Sequence, residues 1–280
     1  MTELVVRDVI VRSVVVPLRR PLATKVGDFS RWPLLLIDVT TEEGITGRGY
    51  LAPYLSRAAA AVRTVLEDMG AALRGQPVSP TAAYAGARGW LGLAGYQGLA
   101  LAAVAGLDIT LVADYNQGLT LGEALDRCRA LDAEGLSWIE EPLRYDDLDG
   151  HARLAADLAT PVMLGENFYG PRAMYEAIRA RACDLVMPDL MRIGGVTGWL
   201  RAAAIADVTG IPMSSHLYPE VSGHLLRVTP TGQWLEWQDW AHPVLARPFE
   251  VRDGHLHLPA VPGNGLEWDE DAVAHVQADP

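Results

Sequence analysis

Six side chains able to do acid–base or metal chemistry recur along residues 111–240: Asp114, Glu140, Glu166, Asp189, His216 and Glu236. Successive steps between them are 26, 26, 23, 27 and 20 residues. Each stands at the end of a short apolar run, in LVADYN, WIEEP, VMLGEN, LVMPD, IPMSSH and QWLEW. Most of the segments between are rich in Ala, Leu and Arg and repeat with helical period. A strand bearing a functional group at its C-terminal end, then a helix, repeated, is the pattern of a (β/α) barrel, whose site gathers at one mouth.

Asp114, Glu140 and Glu166 come from three consecutive strand ends and would share one side of that mouth. Three hard oxygen donors with no Cys or His among them suit Mg²⁺, with Mn²⁺ as the alternative, waters or substrate completing an octahedron. Any one of them alone could instead cap a helix or pair with an arginine. Glu141 and Asn167 fit a supporting position behind the ligands. Asp189 and His216 lie on adjacent strand ends, where a carboxylate accepting from one imidazole nitrogen makes the other a general base. The competing reading is a structural histidine satisfied by a backbone carbonyl. Glu236 sits between Trp234 and Trp237, and an apolar setting would keep it protonated as a donor to a developing oxyanion. Otherwise it is a surface glutamate beside tryptophans that pack elsewhere.

The elements that must position these groups follow from periodicity. Residues 1–108 read as a small α+β domain: a strand over 4–16 ended by Pro17, a polar loop over 18–33, a hairpin of strands 34–41 and 45–51, a helix over 57–74, and a helical region over 80–109. Residues 109–247 give six β/α units, with strands near 111–114, 136–140, 162–166, 184–189, 211–216 and 233–237. Helices fall at 120–134, 148–158, 171–181 and 195–208. The tail, 248–280, contains FEVRDGHLHLP, a hairpin on an Asp-Gly turn, expected to pack back on the first domain. The fold class is therefore α/β, a capping domain plus a TIM-type barrel. That barrel is incomplete, because eight units need about 200 residues at least.

Composition bounds the rest. The chain has 280 residues, 50% hydrophobic and 21% charged, enough for a sizeable core. The net charge of −12 argues against a nucleic-acid partner. Cys128 and Cys183 lie in no metal or disulfide spacing and read as small buried hydrophobes of a reducing compartment. The start, MTELVVRDVIVRSVVV, reads as a strand rather than a signal peptide. Leu99–Ala113 is broken by Asp108 and is too short to span a bilayer. A cytoplasmic protein without a membrane partner is expected.

The motifs DYNQ, WIEEP, GEN, MPDLMRIGGVTGW, IPMSSHL and QWLEW together resemble the enolase superfamily, in its mandelate racemase and muconate lactonizing enzyme branch. The resemblance extends to PLRRPLATKVG and LLLIDVTTEEG, which look like the family's capping domain. It implies that Asp114, Glu140 and Glu166 bind Mg²⁺, that Asp189 and His216 form the base dyad, and that Glu236 is the acid stabilising an enolate. It further implies that Asn116 touches substrate, that residues 19–32 form a specificity loop, and that the protein is a homo-oligomer acting on a small carboxylate substrate.

One departure changes the expected chemistry. In the family two more barrel strands precede LVADYN, the second bearing a Lys-x-Lys motif; here Asp108-Ile109-Thr110 runs directly into it. The chain has one lysine, Lys25, in the N-terminal loop. A racemase needs a base on each face of the α-carbon, and this sequence offers one. The expected reactions are abstraction of the proton α to the carboxylate of a 2-hydroxy acid, with exchange at one enantiomer, or loss of water. The alternative is a degenerate, non-catalytic member that keeps the metal site.

Overall fold

The computed structural model describes residues 5–24, 27–44, 46–53, 55–78, 113–132 and 136–277. Lys25, the expected helical region 80–109 and the junction Asp108-Ile109-Thr110 lie outside them. In chain order come the strands β1 (Val6–Thr24), β2 (Gly27–Thr41) and β3 (Thr46–Leu51) and the helix α1 (Ser56–Leu73). Next are β4 (Ala113–Asp114), α2 (Leu121–Leu131), β5 (Ile139–Glu140), α3 (Leu148–Asp157), β6 (Val162–Leu164) and α4 (Pro171–Arg179). Then follow β7 (Leu185–Val186), α5 (Gly195–Thr209), β8 (Met213–Ser215), α6 (Pro219–Leu226) and β9 (Gly232–Leu235). A 3-10 turn over His242–Val244, the strands β10 (Glu250–Arg252) and β11 (His255–His257), and α7 (Glu270–Val276) complete the order. Contacts divide the chain into two compact units, Met1–Ala103 with Asp239–Pro280, and Val104–Gln238. Residues 239–247, read from sequence as part of the barrel, thus group with the N-terminal sheet.

The first unit is an antiparallel sheet in the order β1-β2-β3. Pro17 does not end β1 as its sequence suggests. The strand runs on to Thr24, with a register shift between Pro17 and Leu22, and the expected loop over 18–33 is the far part of a long β1–β2 ribbon. β1 is an edge strand, where a missing N–H and a bulge are tolerated. β2 is central, and its Leu34, Leu35 and Leu36 are all fully buried, so the sheet is covered on both faces. On one face α1 lays Ala59, Val62 and Leu66 against Val11 and Leu35. Trp32 is also buried, its ring 4.8 Å from Trp240 and edge-on to Phe29 at 5.6 Å. The tail forms the expected hairpin, β10 pairing antiparallel with β11 across Asp253 and Gly254, both at positive φ.

The tail is anchored to the sheet by one carboxylate. Asp38, buried on β2, accepts from Arg12 Nη2 at 2.8 Å and from the indole of Trp268 at 2.9 Å, and lies 3.1 Å from Arg48 Nε. Removing one member of such a group leaves its partners desolvated and uncompensated, which costs far more than the net worth of the pair. Asp38→Ala should therefore lower stability by about 3 kcal/mol in urea unfolding. A loss below about 1 kcal/mol, the range of surface pairs, would contradict this account.

The second unit is a six-stranded parallel sheet in the order β4-β5-β6-β7-β8-β9, each strand followed by a helix up to β9. Strands and helices fall where the apolar runs and helical periods place them, shortened by a residue or more at most ends. The helix α6 is an addition: eight residues opened by Pro219, too short to show a period. Helix starts are set locally. Thr120 and Glu123 form a reciprocal capping box on α2, Asp147 caps α3 by accepting from Gly150 N–H, and Pro171 opens α4. Trp138, Met163 and Met187, from consecutive strand regions, pack as one buried cluster.

Candidate active site

The parallel register places the functional groups at one end of the sheet. Asp114 ends β4 and pairs with Glu140, which ends β5; Glu140 in turn pairs with Met163, three residues before Glu166. Asp189 and His216 pair as an isolated parallel bridge beyond β7 and β8, and Glu236 follows β9 directly. The backbone ladder runs past the strand ends. Tyr115 N–H donates to Glu140 O, Gln117 to Glu141 O, Glu141 to Met163 O, His216 to Pro188 O and Glu236 to Ser215 O. The chain at each of these strand ends is thereby tied to an adjacent strand.

Backbone strain concentrates at the same end. Asn116, Gln117, Glu141, Leu217 and Tyr218 all have positive φ, five of the seven non-glycine residues that do among those described. Positive φ is costly for residues with a Cβ and persists where surrounding contacts impose it. Gly165, just before Glu166, is required for a different reason. A Cβ there would lie 2.4 Å from the backbone N and C of Met187, so only glycine lets β6 and β7 approach this closely.

The dyad is formed. His216 Nδ1 lies 2.8 Å from Asp189 Oδ2, and both side chains are buried. Asp189 Oδ1 accepts from the backbone N–H groups of Met191 and Arg192, at 2.9 Å each, so the carboxylate is fully used in orienting the ring. The other imidazole nitrogen, Nε2, is 3.3 Å from Glu166 Oε2 and 3.9 Å from Glu236 Oε2. Burial works against charge on both members, yet the hydrogen bond from His216 and the Arg192 guanidinium hold Asp189 below its ordinary value. Burial would likewise depress His216, but Glu236, Asp189 and Glu166 carry it up to about 10.

The carboxylates expected to bind metal sit differently from one another. Asp114 is exposed, its two oxygens accepting from the backbone and side-chain nitrogens of Asn116 at 2.7 and 2.8 Å. Glu140 is buried and accepts from Trp138 Nε1 at 3.1 Å. Burial pushes it well above the carboxylate range, reinforced by Asp114. Burial also raises Glu166, with His216 and Arg192 pulling the other way. Glu141 is pushed up to about 8 by burial and by Glu166. Glu236 is partly exposed and accepts from Leu217 N–H at 2.7 Å. Trp234 is itself 47% exposed, so the apolar wall expected on that side of Glu236 is not there.

Among the described residues no three acidic, imidazole or thiol groups converge into a closed cation cage. The donor set still fits a hard divalent ion. Two buried carboxylates from adjacent strands repel a third, and oxygen donors of this kind suit Mg²⁺. Asp114, Glu140 and Glu166 would hold it, with Glu141 and Asn167 behind them. Arg192 and Trp138 are supporting residues that sequence reasoning missed. The one signal for Arg192 was its place three residues after Asp189 in MPDLMRIGG.

An antiparallel α+β unit and a parallel β/α sheet with acids and an imidazole at its C-terminal edge define an enolase-type protein. A model described as "Mandelate racemase / muconate lactonizing enzyme, N-terminal domain" matches residues 6–115, and one described as "Enolase C-terminal domain-like" matches residues 97–272. The chain belongs to this mandelate racemase and muconate lactonizing enzyme family of the enolase superfamily. It is similar to the solved structure of an enolase from the alpha proteobacterium BAL199 with bound magnesium, at 39% identity and TM-score 0.92, over 98% of this chain and 100% of that one. An enolase from Bradyrhizobium complexed with magnesium and mandelic acid matches at 33% identity and TM-score 0.92, over 100% of each chain. L-talarate/galactarate dehydratase from Salmonella typhimurium is 35% identical over 167 residues, covering 60% of this chain and 42% of that enzyme. The chain spans about half the length of the curated relatives it matches.

The raised carboxylates set a pH dependence for cation binding. Glu141 and its neighbours retain protons in the folded protein at a pH where the unfolded chain has lost them. The contribution of Glu141 to stability therefore falls as pH rises from about 4.3 through about 8. A cation must displace those protons, so its affinity rises over the same window. Mg²⁺ should raise the melting temperature more at pH 8 than at pH 6. An equal or smaller shift at pH 8 would show that the cation does not bind among these carboxylates.

Proposed function

We propose that the chain abstracts the proton α to the carboxylate of a 2-hydroxy acid, with Mg²⁺ bound by Asp114, Glu140 and Glu166. The observation that carries this reading is the buried dyad, with His216 Nδ1 held 2.8 Å from Asp189 and Nε2 facing Glu166 and Glu236. When bound, Mg²⁺ would supply Lewis-acid stabilisation of the charge that develops on the substrate carboxylate. Asp189 fixes the imidazole orientation, so Nε2 would take the proton when the ring is neutral, a form that Glu236, Asp189 and Glu166 disfavour by raising His216 to about 10. Glu236, 3.9 Å away, would in its protonated form donate to the opposite end of the developing charge. Asn116, held against Asp114, would contact substrate beside the ligands.

With one imidazole base the reaction is one-sided. His216 can exchange the α-proton of one enantiomer. It can also drive dehydration: the α C–H and β C–O bonds break, hydroxide leaves as water with the proton from His216, and the enol becomes a 2-keto acid. Relatives named as mandelate-bound enolase and as sugar-acid dehydratases support this range of substrates. A second reading, a retained metal site without turnover, draws on the six parallel strands among the described residues, where a closed barrel has eight.

Proton NMR in D₂O with Mg²⁺, offering each enantiomer of mandelate and then sugar acids separately, tests the proposal. The expected result is loss of the α-proton from one enantiomer only, slowed about 10²–10⁴-fold by His216→Asn. Exchange of both enantiomers would contradict the one-base reading. Exchange of none, in protein whose melting responds to Mg²⁺, would favour the second.

A further inference from the structure

The buried side chain of Asn167 lies between two carboxylates. Its Nδ2 donates to Glu166 Oε1 at 2.8 Å and to Glu141 Oε2 at 2.9 Å, and all three residues are buried. The amide therefore turns its nitrogen toward the two carboxyl groups and its oxygen away. The remaining contact agrees: Asn167 Oδ1 accepts from Tyr169 OH at 3.4 Å. The consequence falls on Glu166, whose two oxygens are treated differently. Oε1 faces Asn167 and, at 3.8 Å, Arg192 Nη1, while Oε2 faces His216 Nε2 at 3.3 Å. Arg192 holds the same residue from the backbone side, donating to Glu166 O at 2.7 Å. Glu141 keeps its place by an unfavourable backbone conformation, φ 34°, with its own N–H bonded to Met163 O.

We infer that Asn167, anchored by Glu141, is a positioning residue that ties down Oε1 of Glu166 and reserves Oε2 for the reacting centre. This rests on the reading of Glu166 as a ligand for Mg²⁺. Glu166 then binds the ion through one oxygen, and its rotamer is selected before the ion arrives. Loss of the amide frees the carboxylate to rotate, so the ion must pay for ordering it. Substitutions of such supporting partners cost roughly 10–100-fold in metal affinity.

The test is Mg²⁺ affinity by calorimetry for the full chain, Asn167→Ala, Glu141→Ala and the double variant, with the melt of each metal-free protein as a check on folding. Asn167→Ala should weaken binding roughly 10–100-fold. The double variant should be no weaker than Asn167→Ala alone, because both substitutions break one bridge. Affinity within about twofold of the parent for Asn167→Ala, or independent losses that multiply in the double variant, would overturn the inference. Should Asn167→Ala not fold, Glu141→Ala carries the same expectation and the same refutation. A parent protein that binds no Mg²⁺ would instead remove the reading of the site, and this inference with it. A parent that binds and variants that bind equally would remove the inference alone.

Discussion

The structure of the second unit depends on a concentration of negative charge that ordinary folding would avoid. Glu140, Glu141, Glu166 and Asp189 are buried at one end of one sheet, with Glu236 beside them. The buried cations facing them are Arg192 and, when protonated, His216. Buried carboxylates cost several kcal/mol each unless paired or hydrogen-bonded. Here backbone N–H groups, the Trp138 indole and the Asn167 amide meet part of that cost. What remains is expressed as raised proton affinity at Glu140, Glu141, Glu166 and His216. A group of acids poised in this way has a strong preference for a cation.

The surrounding architecture is what allows such a cluster to persist. A parallel sheet presents all its strand ends in one direction, and the strand spacing of about 4.8 Å brings consecutive side chains within reach of one another. The strained residues after the strand ends, Asn116, Glu141 and Leu217, turn the chain sharply, while Gln117 and Glu141 stay bonded to the adjacent strand and Leu217 N–H is taken by the Glu236 carboxylate. Gly165 permits the close approach of β6 and β7 that brings Glu166 toward His216. Stability held elsewhere, in the sheet of the first unit and its Asp38 anchor, does not have to be supplied by the site.

The stereochemistry of the proposed reaction follows from a different constraint, the number of bases. A single lysine, lying far from the strand motifs in sequence, leaves His216 as the imidazole-based proton acceptor of the dyad. Proton removal without return to the opposite face is the chemistry of a lyase or of one-sided exchange. The similarity to both a mandelate-bound enolase and a sugar-acid dehydratase brackets that chemistry without choosing the substrate. Trp32, which sequence placed at the edge of a substrate loop, is packed against Trp240 and Phe29 instead.

By itself the sequence determined the six strand-end groups, their order, the parallel β/α units and the hairpins. Those depend on local periodicity and on turn residues, which act over a few positions. It also determined the lysine count, a single residue, from which the one-base proposal starts. Tertiary structure decided the rest. The bonds from Asn167 to Glu141 and from Arg192 to Glu166 each join residues 26 apart, and periodicity carries no information on which rotamers will meet. The continuation of β1 through Pro17 depended on its being an edge strand, a property of the assembled sheet. The high proton affinity of His216 arose from three carboxylates on three other strand ends, and only folding sets those distances.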